Sequence, residues 1–152
     1  MKKHMTVTGF IVKKDSILLH WHEKVKEWLP PGGHIEKNED PIEALNREIL
    51  EETGLEVLII PTNKILKISN LEQITPPFTI MIEDIDDPKD GIHKHIDLIY
   101  FTKITNQSNN TNVNTKQKWF WVSKEQLSKK SMPPEDVIKL GIKAIDFIKK
   151  EK

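Results

Sequence analysis

Residues 33–55 read GHIEKNEDPIEALNREILEETGL, and this stretch carries its own helix punctuation. Asp40 is an N-cap type, Pro41 suits the first helical position, and Gly54 suits the left-handed residue that closes a helix. The spacing predicts a helix from Pro41 to about Thr53. Ile42, Leu45 and Ile49 fall at i, i+3 and i+7, an apolar stripe that should pack the helix on a sheet and hold it rigidly. Glu48, Glu51 and Glu52 fall at i, i+3 and i+4, so three carboxylates share a face. Like charges at that spacing repel by roughly 0.2–0.5 kcal/mol per pair. Either water screens the repulsion on a solvated face, or a bound cation removes it.

The rest of the stretch favours the cation. Gly33, five residues, Glu39, seven residues, Arg47-Glu48-Ile49, one residue, Glu51-Glu52, one residue and Gly54-Leu55 form one pattern. It resembles a complete Nudix box, with all nine specified positions filled. A chance match is improbable when so many types must fall in register. The flanks LPPGG (29–33) and WFWVSKEQL (119–127) are also similar to the family, with less specificity. The resemblance implies an α+β fold, the Nudix-type α/β/α sandwich with a central mixed β-sheet, over one domain spanning 1–152. It implies hydrolysis of a phosphoanhydride bond in a nucleoside triphosphate, or in a nucleoside diphosphate linked to a further group. Mg2+ is the expected cofactor, with Mn2+ as substitute. By the same resemblance the metal ligands are the Gly33 carbonyl, Glu48, Glu51 and Glu52. A box glutamate, first of all Glu48, serves as general base. Arg47 orients the box glutamates, with Glu39 beside it.

Elementary chemistry agrees with that assignment. A hard divalent cation prefers oxygen donors, and Mg2+ is held by a few carboxylates together with substrate phosphates. The Gly32-Gly33 turn brings bare backbone close to the acidic face. Arg47 is the only arginine among twenty-two lysines. A chain that otherwise uses lysine and spends one arginine here needs planar, two-point binding of a carboxylate, which lysine does poorly.

Around the box, Thr6–Val12 and Ser16–His22 read as a hairpin and Trp28–Gly33 as a turn-rich loop. Leu55–Ile60 and Ile65–Ser69 read as strands, Phe78–Ile82 as a weaker one, and Asp84–Gly91 as a loop. Ile92–Lys103 is a strong strand, Thr105–Thr115 a polar asparagine-rich loop, and Trp119–Val122 a short strand. Lys124–Lys130 reads as a short helix after Ser123. Glu135–Lys150 reads as an amphipathic helix that buries Val137, Ile138, Ile142, Ile145 and Ile148.

Further site candidates lie outside the box. His93, His95 and Asp97 alternate on one strand face, continued by Ile99 and Phe101. The segment HKHIDLIYF (93–101) resembles part of some bacterial Nudix proteins. His95 and Asp97 are candidate substrate contacts, and Asp97 is also a candidate extra metal ligand or base; an exposed strand end is the plain alternative. His20 and His22 also share a face, and a zinc site built from these histidines is the weaker reading, because two-residue spacing is common on strands. Gly32, His34 and Glu39 are candidate contacts near the phosphates, with a solvent-facing loop histidine as the equal alternative for His34. Among the aromatics, Trp28 and Phe78 are the first stacking candidates, ahead of Trp21, Trp119 and Trp121, although most aromatics belong to cores. Asp84, Asp86, Asp87 and Asp90 lack the closing glutamate of a calcium loop. Many family members carry another acidic residue before the last strand. Here no carboxylate occurs from Thr105 to Val122, which leaves Asp97 and Glu125 as alternatives for an extra ligand or base.

Composition narrows the remaining classes. The chain has 152 residues, 23 basic and 23 acidic, so no net field draws it to a nucleic-acid polymer or a membrane surface. It has no cysteine, hence no disulfide, thiolate metal site or cysteine nucleophile. That also argues against the diphosphate-isomerase chemistry of the same fold, which usually recruits a cysteine. The N-terminal apolar run is too short for a signal peptide, and the expected location is cytoplasmic. A small-molecule substrate is the expected partner. Oligomeric state stays open, a homodimer being frequent in the family. The alternative function is a Nudix-fold module that binds or senses a nucleotide without cleaving it. The intact box argues against it.

Overall fold

A computed structural model describes residues 1–106, 118–129 and 133–151. In chain order the elements are β1 (Lys3–Lys13), β2 (Ser16–His22), β3 (Glu27–Leu29), β4 (Gly32–His34), α1 (Pro41–Thr53), β5 (Val57–Ile59), β6 (Thr79–Asp87), β7 (Gly91–Ile104), β8 (Trp119–Ser123), α2 (Lys124–Lys129) and α3 (Glu135–Lys150). The strands form one mixed eight-stranded sheet. β1 and β7 run parallel at its centre, paired from Lys3 with Lys94 to Val12 with Lys103. Each of the two forks on its outer side. β1 pairs with β4 near its start and with β2 at its end, and β7 pairs with β6 and then β5. β3 and β8 complete the sheet on β2.

Strand alternation sends side chains to two layers. On one face Val7, Ile11, Leu18, Leu98 and Tyr100 pack with Ala44, Leu45 and Ile49 of α1. On the other, Phe10, Val12, Ile17, Ile99 and Phe101 pack with Leu127 of α2 and with Val137, Leu140, Ala144 and Ile145 of α3. This is the α/β/α sandwich expected from the box, an α+β fold around a central mixed sheet. No described helix is long and apolar enough to cross a membrane.

Several local expectations change. Ile65–Ser69 forms no strand, and its vicinity keeps only an isolated bridge between Ile68 and Leu71. Ile65, Leu66 and Ile68 are exposed there, so their apolar pattern finds no sheet to pack on. The turn-rich 28–33 stretch contributes to two short strands, β3 and β4, because β2 and β1 offer them partners. The acidic stretch from Asp84 to Asp87 is strand rather than loop. It extends β6 against β7, and the turn is confined to residues 88–90, where the Asp87 carboxylate accepts from the Lys89 amide at 2.6 Å. On α3, Ile138 and Ile142 are only partly buried and flank the core, while Leu140, Gly141 and Ala144 take its centre. Most of the predicted 105–115 loop, and the last residue of the predicted 124–130 helix, lie outside the described residues.

Candidate active site

α1 begins and ends where its sequence punctuation places it. The Asp40 carboxylate accepts from the amides of Ile42 (2.8 Å) and Glu43 (2.9 Å), and the Glu43 carboxylate accepts from the Asp40 amide (3.1 Å). This reciprocal capping box satisfies donors that the first turn cannot. At the other end Gly54 takes φ 77°, and its amide donates to the Leu50 carbonyl at 2.9 Å. With Leu45 and Ile49 fully buried, the acidic face has a fixed position relative to the sheet.

β4 brings the glycine turn to that face. Gly33 pairs with Val7, whose side chain belongs to the α1-side core, so Gly33 looks toward α1. A Cβ on Gly33 would meet the Glu48 carboxylate, so a side chain there would have to push that carboxylate out of its present position. The Gly32 amide donates to Glu52 Oε1 at 3.1 Å. β8 braces the same turn of helix, since the Trp119 indole N–H donates to the Glu52 backbone carbonyl at 3.2 Å.

Arg47 organises the remaining charges. Its Nε and Nη2 donate to the two oxygens of Glu39 at 2.7 and 2.9 Å, a two-point clamp. Nη1 donates to Glu48 Oε1 at 3.0 Å and reaches Glu51 Oε2 at 3.4 Å, and Nη2 also donates to the His34 carbonyl at 3.1 Å. One guanidinium therefore ties the loop after β4 to the acidic face. Its hydrogen bond lowers the Glu39 carboxyl to about 2, and the same contact raises the arginine above its ordinary value. Glu52 is pushed up to about 7, first by burial and then by the neighbouring Glu48 and Glu51 charges. Glu48 is also raised, chiefly by burial, with Arg47 opposing. Crowded, partly desolvated carboxylates of this kind are what a divalent cation would relieve. The donors are all oxygens, Glu48 and Glu52 beside a glycine backbone with Glu51 on the same helix face, so the residues present fit a hard ion such as Mg2+.

The other expected site residues divide into two groups. Gly32, His34 (through its carbonyl) and Glu39 join the box residues. His95 and Asp97 lie on the opposite face of the sheet, in the row of residues that leads to Ile99 and Phe101. There Asp97 accepts from the Thr6 hydroxyl at 3.0 Å and the Thr8 hydroxyl at 2.6 Å, and burial raises its carboxyl. Sequence alone does not point to Thr6 and Thr8. Their alternation on β1 is visible in the sequence, but the parallel register that sets them beside Asp97 is not. Trp28 is half-buried at the rim of the α3-side core, edge-on to Trp21 and Phe120, and its indole N–H has no partner among the described residues. Phe78 stacks on Phe101 with centroids 4.4 Å apart, so one of its faces is already covered. Glu125 pairs with Lys129 at 2.7 Å on the exposed side of α2.

A family model described as the NUDIX domain matches residues 2–139. A probable DHNTP pyrophosphohydrolase of Lactococcus lactis is 30% identical over 103 residues, which cover 68% of this chain and 55% of that protein. An 8-oxo-dGTP diphosphatase of Buchnera aphidicola is 39% identical over 62 residues, covering 38% of this chain and 48% of that protein. The matched stretches thus span about half the length of these curated relatives. Among solved structures, a NUDIX-family hydrolase from Clostridium perfringens superposes with a TM-score of 0.79 at 32% identity, covering 97% of this chain and 99% of that one.

Proposed function

The chain belongs to the Nudix family, and from that premise we propose that it is a pyrophosphohydrolase that cleaves a phosphoanhydride bond in a small nucleotide-type substrate with the help of Mg2+. The observation that carries this reading is the convergence of Glu48 and Glu52 on the bare Gly32-Gly33 backbone, locked by Arg47. The curated relatives named for DHNTP and 8-oxo-dGTP support the substrate class, a phosphoanhydride carried by a heterocycle.

In this reading the Gly33 carbonyl, Glu48, Glu51 and Glu52 would hold the ion, with Mn2+ able to replace Mg2+. Bound there, a divalent ion neutralises phosphate charge and acidifies water. Arg47 holds Glu48 Oε1 and thereby orients that carboxylate to accept the proton of the attacking water. Glu39 fixes the orientation of the guanidinium against the loop and stays ionised over the whole working range of pH. Asp97 and its two threonines, on the other sheet face, are better placed to meet the organic part of the substrate than to join the box carboxylates. His95, Trp28 and Phe78 share that side.

The test is a panel of nucleoside triphosphates, 8-oxo-dGTP, DHNTP, nucleotide sugars, ADP-ribose and dinucleoside polyphosphates, assayed with Mg2+ for released phosphate or pyrophosphate. At least one should turn over. Glu52→Gln should lower kcat by roughly two orders of magnitude or more while leaving the circular dichroism unchanged. An equally active Glu52→Gln protein would sink the metal-cage reading. Tight nucleotide binding without turnover would favour a sensing module instead.

A further inference from the structure

Four of the six histidines meet at one end of the sheet, on the face opposite α1. His4 and His95 are direct partners in the parallel β1–β7 pairing, His93 lies two residues before His95, and His34 comes from β4 beside Thr6. The ring centroids of His4 and His93 are 4.5 Å apart, those of His93 and His95 4.9 Å, and those of His34 and His95 5.1 Å.

The ring nitrogens are closer still. His93 Nε2 is 3.1 Å from His95 Nε2, and His34 Nε2 is 3.3 Å from His4 Nδ1. One nitrogen each from His4, His93 and His95 lies within 4.8 Å of the other two. Nitrogens bound tetrahedrally at about 2.0–2.1 Å from a zinc ion are about 3.3 Å apart, so both close pairs already have the length of a tetrahedral edge. The second nitrogen of His93 is committed as well. Its Nδ1 lies 2.9 Å from the Gly91 carbonyl, an acceptor only, so Nδ1 carries the proton and Nε2 presents its lone pair to the cluster. A backbone carbonyl behind the ring is the usual way a ligating imidazole is oriented. His93 is 2% exposed, so this orientation is enforced by packing. Asp90 of the β6–β7 turn and Asp87 at the end of β6 act on His4 and His95 in the direction that favours a positive charge, against burial, the neighbouring imidazoles and, at His4, Lys2.

We propose that His4, His93 and His95, with the more exposed His34 as fourth donor, form a binding site for a divalent transition-metal ion of the zinc class, separate from the carboxylate site on α1. Imidazole donors select zinc, nickel or copper over magnesium, so the two sites sort ions by ligand chemistry. Bound there, the ion clips the start of β1 to β4 and β7, closing long stretches of chain with one centre.

The experiment uses the full chain, stripped of metal with a chelator and held in saturating Mg2+. Calorimetric titration should show one Zn2+ per chain that excess Mg2+ does not displace, and Co2+ should give the intense visible bands of a tetrahedral site. At free zinc about a hundred times Kd the melting temperature should rise by about 5–10 °C. His95→Gln and His4→Gln should each weaken zinc binding by more than about a hundredfold, whereas Glu52→Gln should leave it intact. Zinc held equally well by both histidine variants, zinc lost in Glu52→Gln, a six-coordinate cobalt spectrum, or no uptake over Mg2+ would each overturn the site. The last result would mean that the imidazoles simply hydrogen-bond to one another. The two variants are read independently, so misfolding of one leaves the other to decide.

Discussion

At the scale of single residues, Arg47 is the pivot of the candidate site. Its planar fork holds both oxygens of Glu39 while its other nitrogen reaches Glu48. Lysine keeps the charge but offers one point of contact, so Arg47→Lys should lower kcat by roughly 10–100-fold, about what one or two lost charge-assisted hydrogen bonds are worth. Wild-type kinetics in that variant would remove the clamp argument. Glu39 gives a stability prediction with a definite sign. Its carboxyl falls from an ordinary 4.5 to about 2 in the folded chain. A depressed carboxyl contributes stability that is fully present above the unfolded value and is lost as pH falls through the folded one. Thermal melts between pH 4.5 and 2 should therefore show a destabilisation that is smaller in Glu39→Gln. An unchanged acid limb would show that the pair is screened away. Both residues were legible in the sequence through the box. What was not legible is the direct contact of Arg47 with the His34 carbonyl, which depends on where β4 comes to rest.

At the scale of elements, α1 was readable because its signals are local. Cap, proline, stripe and closing glycine all lie within the segment, and the helix begins and ends as they dictate. Asp40→Ala removes the acceptor for two first-turn amides and should cost about 1 kcal/mol, seen as a melting temperature lower by about 2–4 °C. β6 shows the opposite case. Asp84, Asp86 and Asp87 have poor strand propensity, yet they extend the strand because β7 offers a continuous line of backbone partners. Ile65–Ser69 has the better composition and no partner strand. Periodicity reports what a segment is able to bury, not whether anything arrives to cover it. On α3 Val137, Ile145 and Ile148 are buried as the pattern predicts, but the sheet beneath selects Leu140, Gly141 and Ala144 over Ile138 and Ile142. At Gly141 a Cβ would press on the Ile17 side chain at 2.6 Å, so a larger residue there would force the buried Ile17 to shift.

At the scale of the whole molecule, one sheet separates two cores, and only one of them supports the box. Leu45 is fully buried on the α1 side and Phe101 nearly so on the α3 side. Leu45→Ala and Phe101→Ala should each cost about 2–5 kcal/mol. If the sandwich is a single cooperative unit, both variants should melt in one transition at lowered temperature. Their activities should differ. Loss of Leu45 loosens the helix that carries Glu48 and Glu52 and should lower kcat, whereas loss of Phe101 removes the ring on which Phe78 stacks and should act mainly on KM. Two separate transitions in either variant would contradict the shared-sheet picture.

The sequence alone determined the box, the helix that carries it, the chemical type of the side chains on its acidic face and, through the family resemblance, the sandwich around it. Those features are encoded in residues close together in the chain, where spacing translates directly into geometry. Only the tertiary structure decided that Asp97 meets Thr6 and Thr8 on the opposite face, and that His4, His34, His93 and His95 converge. Each of these contacts depends on the register of strands far apart in sequence. A shift of one residue would turn every side chain involved to the other face of the sheet.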